Sequence, residues 1–459
     1  MQKEGRALTF DEIRKIAETE GASVHFIGIG GVSMYSLANL TILSGAAVTG
    51  SDLVESERTQ RLRESGAKID IGHNGRLVES ASLVVHSHAI PDRNPEYITA
   101  KNLGIPIVSR AEYMGALMIK YKSKIGVSGS HGKSTTVAML DAIFQEAARA
   151  PSVLSGAKLP DGEPYRIGGD DVLLYEACEY RDSFLKFSPD VVVALNIELD
   201  HTDYFPDIEA LKKSFTRAIE RASKFAVING DDEHLRRIAR TAKQKIISFG
   251  QGERSTYRYR VNGFFDNGFA FEVRRGSEFI GSFRLNIPGI FNLSNATAAI
   301  VTALECGIDA ETAKMAIAKY RGITDRMELV GDRFGRPIYH DYAHHPTEIA
   351  ATVNAVRMQT HEPVTVVFKP HTYSRTKSLW EDFRMALSLA DYVILTDIYP
   401  AREEPIAGVD SKRLADDIGD SAIFSEDAFV PLVVDNSTRG AIIIMGAGGL
   451  EEIKAGMKT

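Results

Sequence analysis

Only two cysteines occur in the 459 residues, Cys178 and Cys306, far apart and outside any C-x-x-C pattern. Neither a disulfide framework nor a cysteine-based zinc site can be assembled from them, and a cytoplasmic protein is expected. Proline is sparse at 16 residues and 25% of positions are charged, which suits neither a fibre nor a disordered chain. Positive charge is not in excess: the formal net charge is −7, so there is no broad basic footprint for nucleic acid. Long apolar runs are also missing. The opening MQKEGRALTFDEIRKIAETEG scatters charge along its length, and no secretory leader is expected. Residues 21–51 lack Asp, Glu, Lys and Arg, but glycines at 21, 28, 30, 31, 45 and 50 interrupt them. A buried strand, turn and helix is expected there rather than a membrane span.

With 44% hydrophobic residues and roughly 150 residues to a domain, the chain has material for about three globular domains. Apolar strands run into glycine-rich or small-residue turns in VHFIGIGGVSMYSLANL and SKIGVSGSHGKSTTVAMLDAIF, each followed by a helical pattern. In the last third VTVVF, DYVILTD and GAIIIMGAGG alternate with helical stretches such as KSLWEDFRMALSLA. This order marks parallel α/β units. Between them STYRYRVNGFFDNGFAFEVRRGSEFIGSFRLNIPG alternates and is rich in turns, which predicts hairpins at a domain edge. Boundaries are placed to give segments 1–117, 118–326 and 327–459.

Gly28, Gly30 and Ser33 occupy G-x-G-x-x-G/A positions, and Asp52 closes the following strand. Glycines there let backbone approach a diphosphate at a helix N-terminus, while the acid suits a ribose or base. A diphosphate is expected, a nicotinamide is not, and the plain alternative is a tight turn in any doubly wound sheet. In Gly129-Ser130-His131-Gly132-Lys133-Ser134 the ending is that of a phosphate loop, with Lys133 for β/γ-phosphates and the Ser134 hydroxyl for Mg²⁺. The strict spacing requires glycine at 127, where Val127 stands, so this is a shorter variant. Acids must hold the metal, and Glu176 and His201 end apolar strands where they face the phosphates. Their bland alternatives are a strand-end surface acid and a helix-start residue.

His340, Asp341, Tyr342, His344, His345 and Pro346 form the densest polar cluster. The four-residue spacing of His340 and His344 would suit zinc on a helix, but Pro346 and Thr347 read as a helix start, which places the histidines before it.

Together GIGGVSM, GSHGKST, EACEY, NIELDH, PGIFNLSNA, DRME, DYAHHPTEI, KPHTYSRT, DIYPAREEPI and GAGG resemble, in order and over nearly the whole chain, the Mur ligases, ATP-dependent amide-forming enzymes of peptidoglycan precursor synthesis. The alanine-adding branch is the nearest in pattern. The resemblance implies a Rossmann-like UDP-binding domain, a central P-loop ATPase domain and a Rossmann-like C-terminal domain that closes over the site. It implies ATP and two Mg²⁺ ions, with UDP-N-acetylmuramate and L-alanine as partners. The muramate carboxylate would take the γ-phosphate, and the amine would then attack the acyl phosphate. A monomer or weak homodimer is expected.

Carried onto this chain, the resemblance gives Gly129, Ser130, His131, Gly132, Lys133, Ser134 and Thr135 to ATP, and Ser134, Glu176 and His201 to metal. Asn292 and Asn295 would lie near the adenine, with helix capping as the alternative for Asn292. Many relatives carry His where Phe291 stands, which favours stacking there. Arg326 would reach the phosphates from the hinge. Asp341 would serve the nucleotide and the catalytic centre. Tyr342 and His344 would lie near the amino acid, and Arg375 would fork its carboxylate. Relatives often have arginine at position 372, here Thr372. Arg402 and Glu403 would line the cleft or form a solvated salt bridge. Gly28, Gly30, Gly31, Ser51, Asp52 and His73 go to the UDP moiety. Some members use a modified lysine on the second metal, and none is assigned here.

Three rival readings bear on function. A recycling ligase would join a tripeptide to the same sugar nucleotide; the compact spacing from EACEY to NIELDH favours the single-amino-acid enzyme. An NAD(P)-dependent oxidoreductase leaves GSHGKST unexplained. A non-catalytic nucleotide-gated relative is opposed by the presence of Lys133, Glu176, His201 and Asp341.

Overall fold

The structure, a computed structural model, describes residues 8–265 and 267–457. By contact the chain divides into two compact units. The first comprises residues up to Gly126 with Arg149–Val192 and Glu220–Phe225; the second comprises Val127–Ala148, Val193–Ile219 and residues from Ala226 onward. Both are α/β.

The first unit contains a five-stranded sheet in the order Lys68–Ile71, Ala47–Asp52, Ser23–Ile27, Leu83–His86, Ile107–Ser109, with every neighbouring pair parallel. Val24, Phe26 and Ile27 are buried, as are Leu83, Val84 and Val85. Strands buried on both faces are near-continuous apolar runs rather than alternating ones. Strand order reverses between Ser23–Ile27 and Leu83–His86, so the glycine loop after Ile27 lies at a topological switch point, where open α/β sheets bind ligands. The charge-free stretch 21–51 is therefore strand, loop, the helix Val32–Leu43 and most of a second strand, as expected. Its helix is apolar on nearly every side because seven of its residues are buried. Among the described residues no helix is long and apolar enough to cross a membrane.

In the second unit the strand Ile246–Gly250 pairs in parallel with Phe225–Asn229 and with Tyr257–Phe265. Antiparallel Gly268–Arg275 and Glu278–Leu285 follow, the expected hairpins. The helix Lys133–Glu146, whose residues from Ser134 to Leu140 are all buried, packs against Phe291–Glu305 and Ala310–Lys319.

A six-stranded sheet in the order Glu328–Arg333, Arg336–Asp341, Ala441–Met445, Val364–Phe368, Tyr392–Leu395, Ala422–Phe424 completes this unit. Only its first pair is antiparallel. Alternate residues feed two cores: Val364, Val366, Phe368, Ile443 and Met445 pack on one face, Val367, Ile442 and Ile444 on the other. The three apolar runs read from the sequence are its strands Val364–Phe368, Tyr392–Leu395 and Ala441–Met445; Lys369 and Gly446 fall just beyond the C-terminal ends of the first and the last, and Asp341 ends the neighbouring strand Arg336–Asp341.

Candidate functional site

The phosphate loop grows directly from the strand Ser123–Ser128 and ends at Gly132, which caps the helix Lys133–Glu146 in a left-handed conformation at φ 84°. A Cβ at Gly132 would stand 2.5 Å from Asn295 Oδ1, so only glycine fits both the backbone and the neighbour. The loop is braced by the segment after Val191–Ala194. Ser130 Oγ donates to the Glu198 carbonyl at 2.8 Å and accepts from the Glu198 amide at 2.9 Å. His131 N donates to Asn196 Oδ1, and Asn196 Nδ2 donates back to the His131 carbonyl. Lys133 Nζ donates to the carbonyls of Gly129 and Ser130. Ser134 and Thr135 are buried in the first helical turn, where amide groups without an intrahelical partner attract an anion.

His131 sits between two carboxylates. Its Nε2 is 3.2 Å from Glu198 Oε2 and its Nδ1 3.0 Å from Glu348 Oε1, while the His345 ring lies 4.9 Å away, centroid to centroid. Burial would strip the proton from His131, but Glu348 and Glu198 outweigh it and push the imidazole up to about 10. Burial likewise opposes ionisation of Glu348, yet His131 and His344 hold its carboxyl well below the usual range. Glu348 Oε2 also accepts from the amides of His344 and His345. It thereby caps the helix Pro346–Thr360, whose N-cap is His345 and whose first residue is Pro346. The expected helix start is found, and the histidines precede it.

His201 does not end the apolar strand, which stops at Ala194, nor does it start the helix Ile208–Glu220; it lies in a turn between them with φ 54°, and its carbonyl accepts from the amides of Tyr204 and Phe205. Asp200 Oδ1 receives the His201 amide and also Arg375 Nε at 3.0 Å and Nη2 at 2.8 Å. Burial raises the Asp200 carboxyl, but Arg375 and His201 bring it well below the ordinary value. The guanidinium expected to fork an amino-acid carboxylate is thus held by a carboxylate of the chain, and its Nη1 donates to His371 Nδ1. Burial and the Arg375 charge push His371 down to about 3, and burial pushes His344 down to about 4.

Asp341 ends its strand buried, its Oδ2 accepting from the Met327 amide and Oδ1 from the Ala343 amide, both at 2.7 Å. Burial raises its carboxyl to about 6, with Arg326 opposing. The Arg326 guanidinium lies 4.3 Å over the half-exposed Tyr342 ring. Tyr342, His344, His371 and Tyr399 follow one another as ring neighbours. Asn292 does not cap its helix: its Nδ2 donates to the Pro288 carbonyl, and Oδ1 accepts from Asn295 Nδ2. Phe291 packs against the core of the six-stranded sheet. Arg402 is exposed, whereas Glu403 accepts from the Ser374 amide and hydroxyl, so the two form no mutual pair.

In the first unit Gly28 N and Ile29 N donate to the Ser51 carbonyl, and Gly30 N donates to Asp52 Oδ2 at 2.8 Å. A Cβ at Gly30 would stand 2.9 Å from that oxygen. Gly31 caps the helix Val32–Leu43. Ser51 is fully buried, its hydroxyl donating to Glu96 and contacting His73 Nδ1 at 2.8 Å. Glu176 ends the strand Val172–Glu176, its Oε1 accepting from Gly156 N and Ser155 Oγ.

Sequence reasoning missed Asn196, Glu198, Asp200, Glu348, His371 and Glu96. The first four lie inside NIELDH and DYAHHPTEI, so the signal was a polar residue in a segment already marked; His371 lies in KPHTYSRT, and Glu96 had none.

Three family models match the chain: "Mur ligase family, catalytic domain" over residues 23–122, "Mur ligase middle domain" over 127–303, and "Mur ligase, glutamate ligase domain" over 325–448. The chain is 40% identical to a UDP-N-acetylmuramate–L-alanine ligase of Caldanaerobacter subterraneus over 94% of its length and 96% of the relative's. It is 41% identical to one of Caldicellulosiruptor saccharolyticus over 93% and 96%. Among solved structures, a UDP-N-acetylmuramate–alanine ligase of Thermotoga maritima superposes with TM-score 0.81 at 25% identity, covering 94% of this chain and 97% of that one. A murein peptide ligase of Psychrobacter arcticus superposes with TM-score 0.72 at 21% identity, covering 95% and 99%, a likeness of fold.

Proposed function

The chain belongs to the Mur ligase family, and from that premise we propose that it joins L-alanine to the carboxylate of UDP-N-acetylmuramate, with ATP as the phosphoryl donor. The observation that carries this reading is the braced phosphate loop, in a chain 40% identical over 94% of its length to a protein named for that reaction. A helix N-terminus, a loop lysine and a glycine that admits no side chain are what a triphosphate needs.

In this reading Lys133 and the amides of Gly132 to Thr135 offset charge on the transferred phosphoryl group, which is electrostatic stabilisation rather than acid-base work. Ser134 would hold one Mg²⁺, and Glu176 and His201 would serve the second; when bound, the ions neutralise phosphate charge and bring it to an anionic carboxylate. Glu176 suits a hard cation: its Oε1 is occupied by Gly156 and Ser155, and Oε2 remains. Asn295, packed on Gly132, and Asn292 would meet the adenine with amide donors and acceptors. Arg326 would reach the phosphates and Asp341 would fix the segment that carries it. Tyr342 and His344 would meet the amino acid. Arg375, its Nε and Nη2 held by Asp200, would offer the amino-acid carboxylate a fixed positive charge. Gly28, Gly30, Gly31, Asp52, Ser51 and His73 would receive the UDP handle.

The division into segments 1–117, 118–326 and 327–459, a cytoplasmic location and a monomer or weak homodimer belong to the same reading. The relatives' names favour a single amino acid over a recycled tripeptide. The test is a trap: protein, ATP, Mg²⁺, UDP-N-acetylmuramate and hydroxylamine, without alanine, should yield ADP and a muramyl hydroxamate. ADP without hydroxamate would exclude the acyl phosphate.

A further inference from the structure

Glu96 is the second residue of the helix Pro95–Leu103, whose N-cap is Asn94, and it is 1% exposed. A carboxylate at that depth needs several partners. It has three. Ser51 Oγ and His73 Nδ1 reach its Oε2, the latter at 2.9 Å, and His25 Nε2 stands 3.5 Å from its Oε1. His25 is itself fully buried, with Nδ1 2.8 Å from Thr49 Oγ1. Burial alone would raise the Glu96 carboxyl; the nearby His25 and the contacts with Ser51 and His73 outweigh it and hold it below the usual range. Its place in the first helical turn adds the favourable end of the helix dipole.

These partners belong to the elements that shape the glycine loop. The Ser51 carbonyl accepts from Gly28 N and Ile29 N, the Asp52 carboxylate accepts from Gly30 N, and the Asp52 carbonyl accepts from Gly72 N, next to His73. An ionised Glu96 is acceptor only, so the proton of the contact with His73 lies on Nδ1. The ring is fixed in orientation, and Nε2 is the nitrogen left for a ligand.

We propose that Glu96 is a positioning residue for the nucleoside diphosphate handle of the substrate: through Ser51 it sets the glycine loop, and through His73 Nδ1 it aligns Nε2 for the ligand. This rests on the reading of the first unit as the UDP-binding part. An outer partner that orients a ligating histidine without touching the ligand is worth about 10–100-fold in affinity at metal sites, and a comparable lever is expected here.

The test uses the full chain, UDP as binding probe in calorimetry, and UDP-N-acetylmuramate in steady-state kinetics. Glu96→Gln, which keeps the volume, should raise the UDP Kd and the KM for UDP-N-acetylmuramate about tenfold while kcat and the KM for ATP stay within about twofold. In a His73→Ala background the same change should add clearly less than its effect in wild type, because only the part that acts through Ser51 is left. Ser51→Ala should raise the UDP Kd as well, and it keeps the assay decisive where Glu96→Gln does not fold. An unchanged UDP Kd in the folded variants, equal losses in kcat and ATP binding, or a full tenfold effect on top of His73→Ala would each overturn the proposal. Wild-type protein that does not bind UDP would instead bring down the reading of the first unit, and the proposal with it.

Discussion

Replacing Glu348 with glutamine removes one of the two carboxylates that hold the His131 proton while preserving the reciprocal cap on Pro346–Thr360, which glutamine can also form. His131 holds its proton to about 10 in the folded protein, against about 6.5 for an unperturbed histidine. A group raised on folding stabilises the native state in full below its unfolded value, and loses that contribution as pH rises through the folded one. A shift of this size corresponds to at most about 5 kcal/mol, shared between Glu348 and Glu198. Glu348→Gln should therefore cost about 2 kcal/mol at pH 7.5. By pH 10.5 the imidazole is mostly neutral in wild type, and the buried Glu348 charge has lost its partner, so the gap should close or reverse. Urea midpoints of wild type and variant at the two pH values, with the slopes compared, decide the matter. A gap that is the same at both pH values, or wider at the higher one, would refute the ion-pair account of the phosphate loop.

Lys133→Ala should abolish phosphoryl transfer, read as ADP release, while UDP binds as in wild type; an active variant would remove the loop assignment. Arg375→Ala leaves Asp200 buried without its cation and should destabilise the fold by about 3–5 kcal/mol, with Arg375→Lys recovering only part because the two-nitrogen grip on one oxygen is lost; a urea midpoint close to wild type would contradict this. Gly132→Ala places a methyl group against Asn295 Oδ1 in a left-handed backbone. It should raise the KM for ATP at least about tenfold with little effect on the KM for UDP-N-acetylmuramate, and an unchanged ATP KM would show that the loop relaxes freely.

The parallel sheets, the phosphate loop and the hairpins were legible because local signals carry them: apolar runs, glycine punctuation and alternation all act within a few residues of chain. The helix start at Pro346 was legible for the same reason. The pairing of charges was not. Arg375 and Asp200 lie 175 residues apart, and nothing in KPHTYSRT announces that its arginine is held by a carboxylate from NIELDH. His131 read as one more loop residue, since its protonation depends on Glu348, 217 positions away in the chain and brought close only by the six-stranded sheet and the helix that follows its second strand. Asn292 read as a cap or an adenine contact, and it does not cap: its amide donates to the Pro288 carbonyl and accepts from Asn295. Glu96 stands alone in PDRNPEYITA, and only folding brings His25, Ser51 and His73 to it.

Coupling of ATP to amide formation between UDP-N-acetylmuramate and L-alanine is decided by phosphate release, measured with purified protein, ATP, Mg²⁺ and UDP-N-acetylmuramate and compared between L-alanine and L-alanyl-γ-D-glutamyl-diaminopimelate. Release that depends on alanine, with one amide formed for each phosphate, is the predicted result; release with the tripeptide alone, or with neither, would contradict it.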